Sequence, residues 1–418
     1  MSSNRIFPIK QDPACLLKWG WSNIYFQSGT SSSCHRTTKF NIDPDNFDNF
    51  HNLPEKIKDR EMMLAGEWCG NGCEYCKNIE DRGEFSDRMM QLAMQQDPGL
   101  TAPELHQDST ATHVTPTIIE VWFNNTCNMK CVYCGPHYSS LWADEIRKYG
   151  KSLAHRSPMD TQLNPHYDQM VKDFWKYLKT DDRYKVLRRF HVLGGEPFLI
   201  REFDQCLDFW NQYPNPNLVF AAISNLNVPH SRFLKYVDQF EKLVDQNKVW
   251  KFQITASIDS WGPEQEFVRH GLDLNLLEKN FMTLLGRKAV SLSVNSTISA
   301  LTIKQMPKLI EKINHWSQLH HEPIDHSFNY TTGMDNPFIF GRGVFDKDFE
   351  KVLSLMPEST AIQQSQKSMM NGIYESLMKT DIDLEKIERL KQYLDQLDQR
   401  RNTNWRHLFS WIDQEFSI

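Results

Sequence analysis

From Ile118 to about Thr332 the chain alternates short β-rich runs with longer amphipathic ones. Runs dense in β-branched and aromatic residues predict strands at Ile118–Phe123, Arg188–Leu193, Leu218–Ser224, Phe252–Ile258, Val290–Ile298 and Ile324–Tyr330. Between them, apolar residues at three- and four-residue steps predict helices near 138–148, 167–179, 202–213, 230–244, 274–286 and 305–319. Such alternation implies parallel βαβ units. Six strands are too few for a full barrel, and a partial (β/α)6 TIM-like barrel fits the count.

The pattern changes on both sides of this α/β core, which spans 118–335. Residues 1–95 are irregular, with scattered turn residues and five cysteines. One helix is expected there, over Leu53–Leu64, with Leu53, Ile57 and Met63–Leu64 on one face. Residues 96–117 carry prolines and small polar residues and read as a linker. Residues 336–418 form a charged, helical C-terminal extension, in which Leu384, Ile387, Leu390, Leu394 and Leu397 recur at helical steps. That helix either packs on the core or binds a partner.

Composition narrows the class. Apolar content of 40% and charged content of 24% are ordinary for a globular protein. The 12 Trp and 25 Phe supply large apolar bodies for a core. A net charge of −6 offers no global basic field to attract nucleic acid. No run reaches the roughly 18 apolar residues of a membrane span, and the N-terminus lacks the apolar stretch of a secretory signal, so a cytoplasmic location is expected. Six of the nine cysteines fall in two short runs. In a reducing compartment such spacing favours metal binding over disulfides.

One run, CNMKCVYC, places Cys127, Cys131 and Cys134 directly after the first predicted strand, hence on a βα loop. In barrel-like folds these loops carry the chemistry. Soft thiolates select iron–sulfur clusters or zinc. A structural zinc usually takes four protein ligands, so three cysteines favour a cluster with one iron left open. After the second strand comes HVLGGEPFLI. Gly194 and Gly195 allow close backbone approach, and Glu196 is a seat for a cationic amine.

The CX3CX2C run with Tyr133 before its last cysteine, together with GGEP after the second strand, resembles the radical S-adenosylmethionine (SAM) superfamily over residues 118–332. The resemblance implies a [4Fe–4S] cluster on Cys127, Cys131 and Cys134, whose open iron binds SAM. It places Tyr133 near the adenine and Gly194, Gly195, Glu196 and Pro197 around the methionyl ammonium. Ser224 and Asn225 stand where the family often has Thr-Asn-Gly, with Leu226 replacing the glycine. Ser257, Asp259 and Arg269 resemble ribose- and carboxylate-contacting positions, and Asn295 is a further candidate contact. Strand-end capping is the alternative role for Ser224, Asp259 and Asn295. Glu266 is not assigned as a base.

A second CX3CX2C, Cys69, Cys73 and Cys76, follows a predicted helix and lacks a downstream Gly-Gly-Glu. With Cys15, Cys34 and the tail Glu80–Arg88, which ends Ser86–Asp87–Arg88, it resembles the twitch or SPASM-type auxiliary-cluster modules of radical SAM enzymes. This implies one auxiliary [4Fe–4S] cluster on Cys15, Cys34, Cys73 and Cys76, with Cys69 outside the usual ligand set. A structural zinc on four cysteines stays open. Cys206 reads as a buried thiol.

The resemblance implies reductive cleavage of SAM to a 5′-deoxyadenosyl radical that abstracts hydrogen from a substrate. The auxiliary module points to a peptide or protein side chain, with a flavodoxin- or ferredoxin-type electron donor. Two alternatives stand beside it. One is radical modification of a nucleotide, nucleic acid or small metabolite. The other, of a different class, is a non-catalytic iron–sulfur electron carrier or a zinc-stabilised interaction protein.

Overall fold

The structure, a computed structural model, describes residues 13–83, 86–89, 110–155 and 163–416. Residues 96–109 of the expected linker and 84–85 of the acidic tail lie outside the described residues. In chain order the strands are β1 (Trp21–Tyr25), β2 (Thr30–Ser32), β3 (Phe40–Asn41), β4 (Ile118–Trp122), β5 (Lys130–Cys131), β6 (Arg189–Leu193), β7 (Asn215–Ser224), β8 (Val249–Ser257), β9 (Arg269–His270), β10 (Val290–Ile298) and β11 (Asp325–Tyr330).

Six of them, β4, β6, β7, β8, β10 and β11, are the six expected core strands. Each is parallel to the next, in chain order. The intervening helices Ser140–Tyr149, Tyr167–Lys179, Arg201–Gln212, His230–Asp245, Leu274–Leu284 and Met306–Leu319 occupy the expected spans. This is the partial (β/α)6 barrel. Alternation along each strand explains its two faces. Phe190, Phe220 and Phe252 are laterally adjacent and face the helices, where Trp210, Phe203 and Phe240 pack on them. Burying each such ring contributes about 1.5–3 kcal/mol. The intervening residues are polar and hold one another: Glu120 with His191 at 2.9 Å, Arg189 with Gln253 at 2.7 Å, and Thr255 with Ser293 at 2.7 Å.

The N-terminal region adds more than its turn-rich sequence signals. Strand β1 pairs parallel with β4, and β2 and β3 follow antiparallel, so one nine-stranded sheet runs from the barrel into the cysteine-rich region. The expected helix is present at Pro54–Leu64, and polar residues share its buried side with the apolar ones. It buries Lys56, Asp59, Arg60 and Met63. Lys56 donates to Ser22 and Ser31 hydroxyls and to the Ser32 and Phe50 carbonyls. Arg60 donates to the Lys18, His51 and Ala111 carbonyls. An irregular region leaves many carbonyls without ladder partners, and long cationic side chains satisfy them.

The C-terminal extension forms helices Asp346–Leu355, Ala361–Leu377, Leu384–Arg401, Trp405–Leu408 and Ser410–Glu415. Its leucine-repeat helix packs on the core, with Ile387, Leu390, Leu394 and Leu397 buried beside Val132 and Trp142. No described helix is long and apolar enough to cross a membrane.

Candidate active site and cysteine centres

The cysteine loop leaves β4 through a turn closed by Asn124, whose side chain accepts from the Thr126 amide at 3.0 Å. It ends at Ser139, which caps the helix Ser140–Tyr149. Side chains from distant elements satisfy the loop's carbonyls. Met129 is bonded by the Ser139 hydroxyl at 2.6 Å and Cys131 by the Trp142 indole at 2.8 Å. From the C-terminal helix, the Tyr393 phenol donates to the Val132 carbonyl at 2.8 Å and Arg401 donates to the Lys130 carbonyl at 2.9 Å. Nothing in the local sequence marks these last two residues as partners of the loop. Tyr393→Phe leaves a buried carbonyl without its donor, and a loss of about 1–3 kcal/mol is expected in denaturant unfolding. An unchanged midpoint would contradict this role.

The segment 194–197 runs against the start of the cysteine loop. The Glu196 amide donates to the Thr126 carbonyl at 2.8 Å. A Cβ on Gly195 would lie 2.1 Å from the Thr126 carbonyl oxygen, and Gly194 adopts φ +120°. Both glycines are therefore required by the packing. Pro197 opens a short 3-10 helix, Pro197–Leu199, and Glu196 caps it by accepting from the Phe198 amide at 3.2 Å. The same carboxyl accepts from the Ser224 hydroxyl and the Asn225 amide, both at 2.8 Å. Glu196 thus joins the ends of β6 and β7. Burial pushes it up to about 7. Asn225 bonds Asn128 at 3.0 Å, which ties β7 to the cysteine loop as well. Leu226 keeps the left-handed backbone that a glycine would favour, at φ 54°, while its side chain is fully buried. Core packing there offsets the backbone cost of about 1–2 kcal/mol.

Strands β5 and β9 pair Cys131 with Arg269. Arg269 makes two bonds to Asp259, each 2.8 Å, within a buried ion pair. The Tyr133 phenol donates to Asp259 at 2.6 Å and the Thr297 amide donates at 2.8 Å. Asp259 and Arg269 are thus joined directly to Tyr133, and both carboxylate oxygens serve protein donors. Removing either charge would leave the other buried and unpaired, a cost of about 3–5 kcal/mol. Ser257 lies beside Asn295 on the polar face, and Asn295 accepts from the Ser327 hydroxyl at 3.1 Å.

Every cysteine of this loop is pushed up by burial, Cys134 to about 12. Cys127 also feels Cys131 and Cys134, which places the three thiols in one electrostatic environment. Arg269 and Arg401 act on Cys131 in the opposite direction. Any metal bound there would have to displace these protons.

Cys15, Cys34, Cys73 and Cys76 line one small cavity of about 30 Å³. The tail that follows holds their loops together. Glu80 accepts from Ser86 at 2.5 Å and from Arg88 at 2.7 and 2.5 Å, and Arg88 also donates to the Ala14 carbonyl beside Cys15. Asp87 reaches His35 and Arg36, next to Cys34. Lys18, Arg36 and Arg88 also line the cavity, and each is paired with a carboxylate: Asp59, Asp87 and Glu80 respectively. Cys69 does not line it; its sulfur lies beside that of Cys73. Cys206 is fully buried in the helix Arg201–Gln212.

Beside Tyr133 and Cys134 opens a groove of about 840 Å³, bounded also by Thr297, Thr331 and Asp335. Burial pushes the Asp335 carboxyl up to about 6, and its Oδ2 has no hydrogen-bond partner among the described residues. In the sequence nothing local distinguishes Asp335 from an ordinary loop carboxylate.

No protein-family profile and no curated protein matches the chain. Among solved structures, Streptococcus suis SuiB bound to precursor peptide SuiA is similar over 91% of this chain and 69% of that chain, at 12% identity and a TM-score of 0.35. Native anSMEcpe with bound AdoMet and Kp18Cys peptide is similar over 63% of this chain and 62% of that chain, at 16% identity and a TM-score of 0.34. At this level neither likeness assigns an activity to the chain.

Proposed function

We propose that the protein is a radical SAM enzyme acting on a peptide or protein side chain. The observation that carries this reading is convergence. Cysteines on the β4 loop, GGEP after β6, Ser224–Asn225 after β7 and Asp259 after β8 meet at one end of the barrel through the bonds of Glu196, Asn128 and Arg269. Ligand sites of open α/β folds lie at these strand ends.

Cys127, Cys131 and Cys134 would hold the radical-generating [4Fe–4S] cluster. Tyr133, Gly194 to Pro197, Ser224, Asn225, Ser257 and Asn295 would contact SAM, with Asp259 and Arg269 fixing Tyr133. Bound there, SAM and the cluster supply the 5′-deoxyadenosyl radical, the hard chemistry of the reaction. The protein's task is to orient these groups and exclude water. Cys15, Cys34, Cys73 and Cys76 would hold an auxiliary [4Fe–4S] cluster. A structural zinc on Cys15, Cys34, Cys73 and Cys76 is the alternative at the N-terminal centre. Anaerobic reconstitution should give about eight irons per chain, two cubes' worth. A colourless protein holding only zinc would overturn the reading.

Glu196 sets a pH dependence. Its folded value, about 7, lies above the ordinary carboxylate value, so the charged form costs the empty protein stability as pH rises from about 4.5 through 7. A bound ammonium offsets that cost. SAM affinity should therefore rise with pH through the range around 7 in which Glu196 ionises, measured by anaerobic equilibrium dialysis. Glu196→Gln should weaken binding and flatten the profile. An unchanged slope in the variant would remove Glu196 from the ammonium site.

A further inference from the structure

A second cleft, of about 510 Å³, lies between the N-terminal hairpin and the barrel mouth. Its wall is built where β1 and β4 end side by side. Tyr25 and Trp122 are register partners and stack with centroids 4.5 Å apart. Gly194 borders the cleft from the GGEP side, and Tyr138 borders it from the turn after Cys134.

Its charge is one-sided. The protein carries 53 acidic residues and a net charge of −6, yet among the described residues no Asp or Glu lines this cleft. Lys39 does. Its ammonium sits 3.6 Å from the Tyr25 ring centroid and 5.9 Å from that of Tyr138. Among the described residues it has no carboxylate partner, unlike Lys18 with Asp59 or Lys130 with Glu145. A cation held between aromatic faces keeps its charge available to an anion from the open side. A planar peptide group and an aliphatic stem also pack well on stacked rings.

We propose that this cleft seats a carboxylate-bearing side chain of the peptide substrate, held by the Lys39 ammonium between Tyr25 and Tyr138. The assignment deepens the peptide-modifying reading above and rests on it.

The test is binding without turnover. The reconstituted full-length protein is dialysed anaerobically against a library of blocked pentapeptides that differ at the central residue, and retained peptides are read by mass spectrometry. Peptides with central Asp or Glu should be enriched about tenfold over their Asn and Gln counterparts, as expected for a charge-assisted contact. Lys39→Arg should keep the enrichment and Lys39→Met should lose it. Lys39→Glu should turn the preference toward Lys and Arg, a gain that misfolding cannot produce. Equal retention of acidic and amide peptides, or enrichment that survives Lys39→Met, would overturn the proposal. So would displacement by adenosine 5′-monophosphate without acidic enrichment. A protein that enriches acidic peptides but leaves SAM intact overturns the enzyme reading instead, and the two failures are distinguishable.

Discussion

Replacing Cys127, Cys131 and Cys134 together by alanine should abolish 5′-deoxyadenosine formation while leaving about four irons per chain, one cube, at the N-terminal centre. Replacing Cys73 and Cys76 should remove the other four irons and leave measurable SAM cleavage. The asymmetry follows from placement. The first set lies at the carboxyl ends of the barrel strands, where Cys131 pairs with Arg269 and Cys127 lies in the field of Glu196. The second lies around a small cavity whose four cysteines would fill every iron position of a cube. Such a centre can move electrons without binding substrate. The backbone should tolerate the first set of substitutions, because the loop is held by Ser139, Trp142, Tyr393 and Arg401. Far-UV circular dichroism should match the native protein. The reverse pattern of iron loss and activity loss would mean that the two centres have exchanged roles.

Gly195→Ala should lower SAM cleavage by about 100-fold, the usual consequence of moving a reactive arrangement by an ångström. The added methyl would stand 2.1 Å from the Thr126 carbonyl oxygen and 2.6 Å from its carbon. These are backbone atoms, so no rotamer change relieves the clash. Either GGEP or the start of the cysteine loop must shift, and the Glu196 contacts to Ser224 and Asn225 shift with it. Iron at Cys15, Cys34, Cys73 and Cys76 should be unaffected, since that centre shares no residue with the displaced segments. SAM cleavage within roughly threefold of the native rate would show that the packing here does not position the site.

Much of this was legible in the sequence, because the signals are local. All six core strands combine β-branched or aromatic residues with bounding turn residues, and the helices between them keep one apolar stripe. The cysteine spacing and GGEP are likewise short-range. What escaped is long-range or runs against composition. Strand β1 has only five residues, WSNIY, whose pairing with β4 no local pattern reveals. Tyr393 and Arg401 reach the cysteine loop across some 260 and 270 positions. The helix Pro54–Leu64 buries lysine, aspartate and arginine because it serves the carbonyls of an irregular region, a demand that hydrophobic periodicity cannot register. Leu226 reads as a lost glycine, but the fold keeps the left-handed turn and buries the side chain.

The central claim is that the barrel site binds SAM on an iron–sulfur cluster and cleaves it reductively. The most direct measurement is 5′-deoxyadenosine released from SAM by the anaerobically reconstituted, dithionite-reduced protein, quantified by liquid chromatography and mass spectrometry. Time-dependent 5′-deoxyadenosine with an equal amount of methionine is expected, both absent without reductant. A protein carrying its full iron complement that leaves SAM intact under these conditions would contradict it.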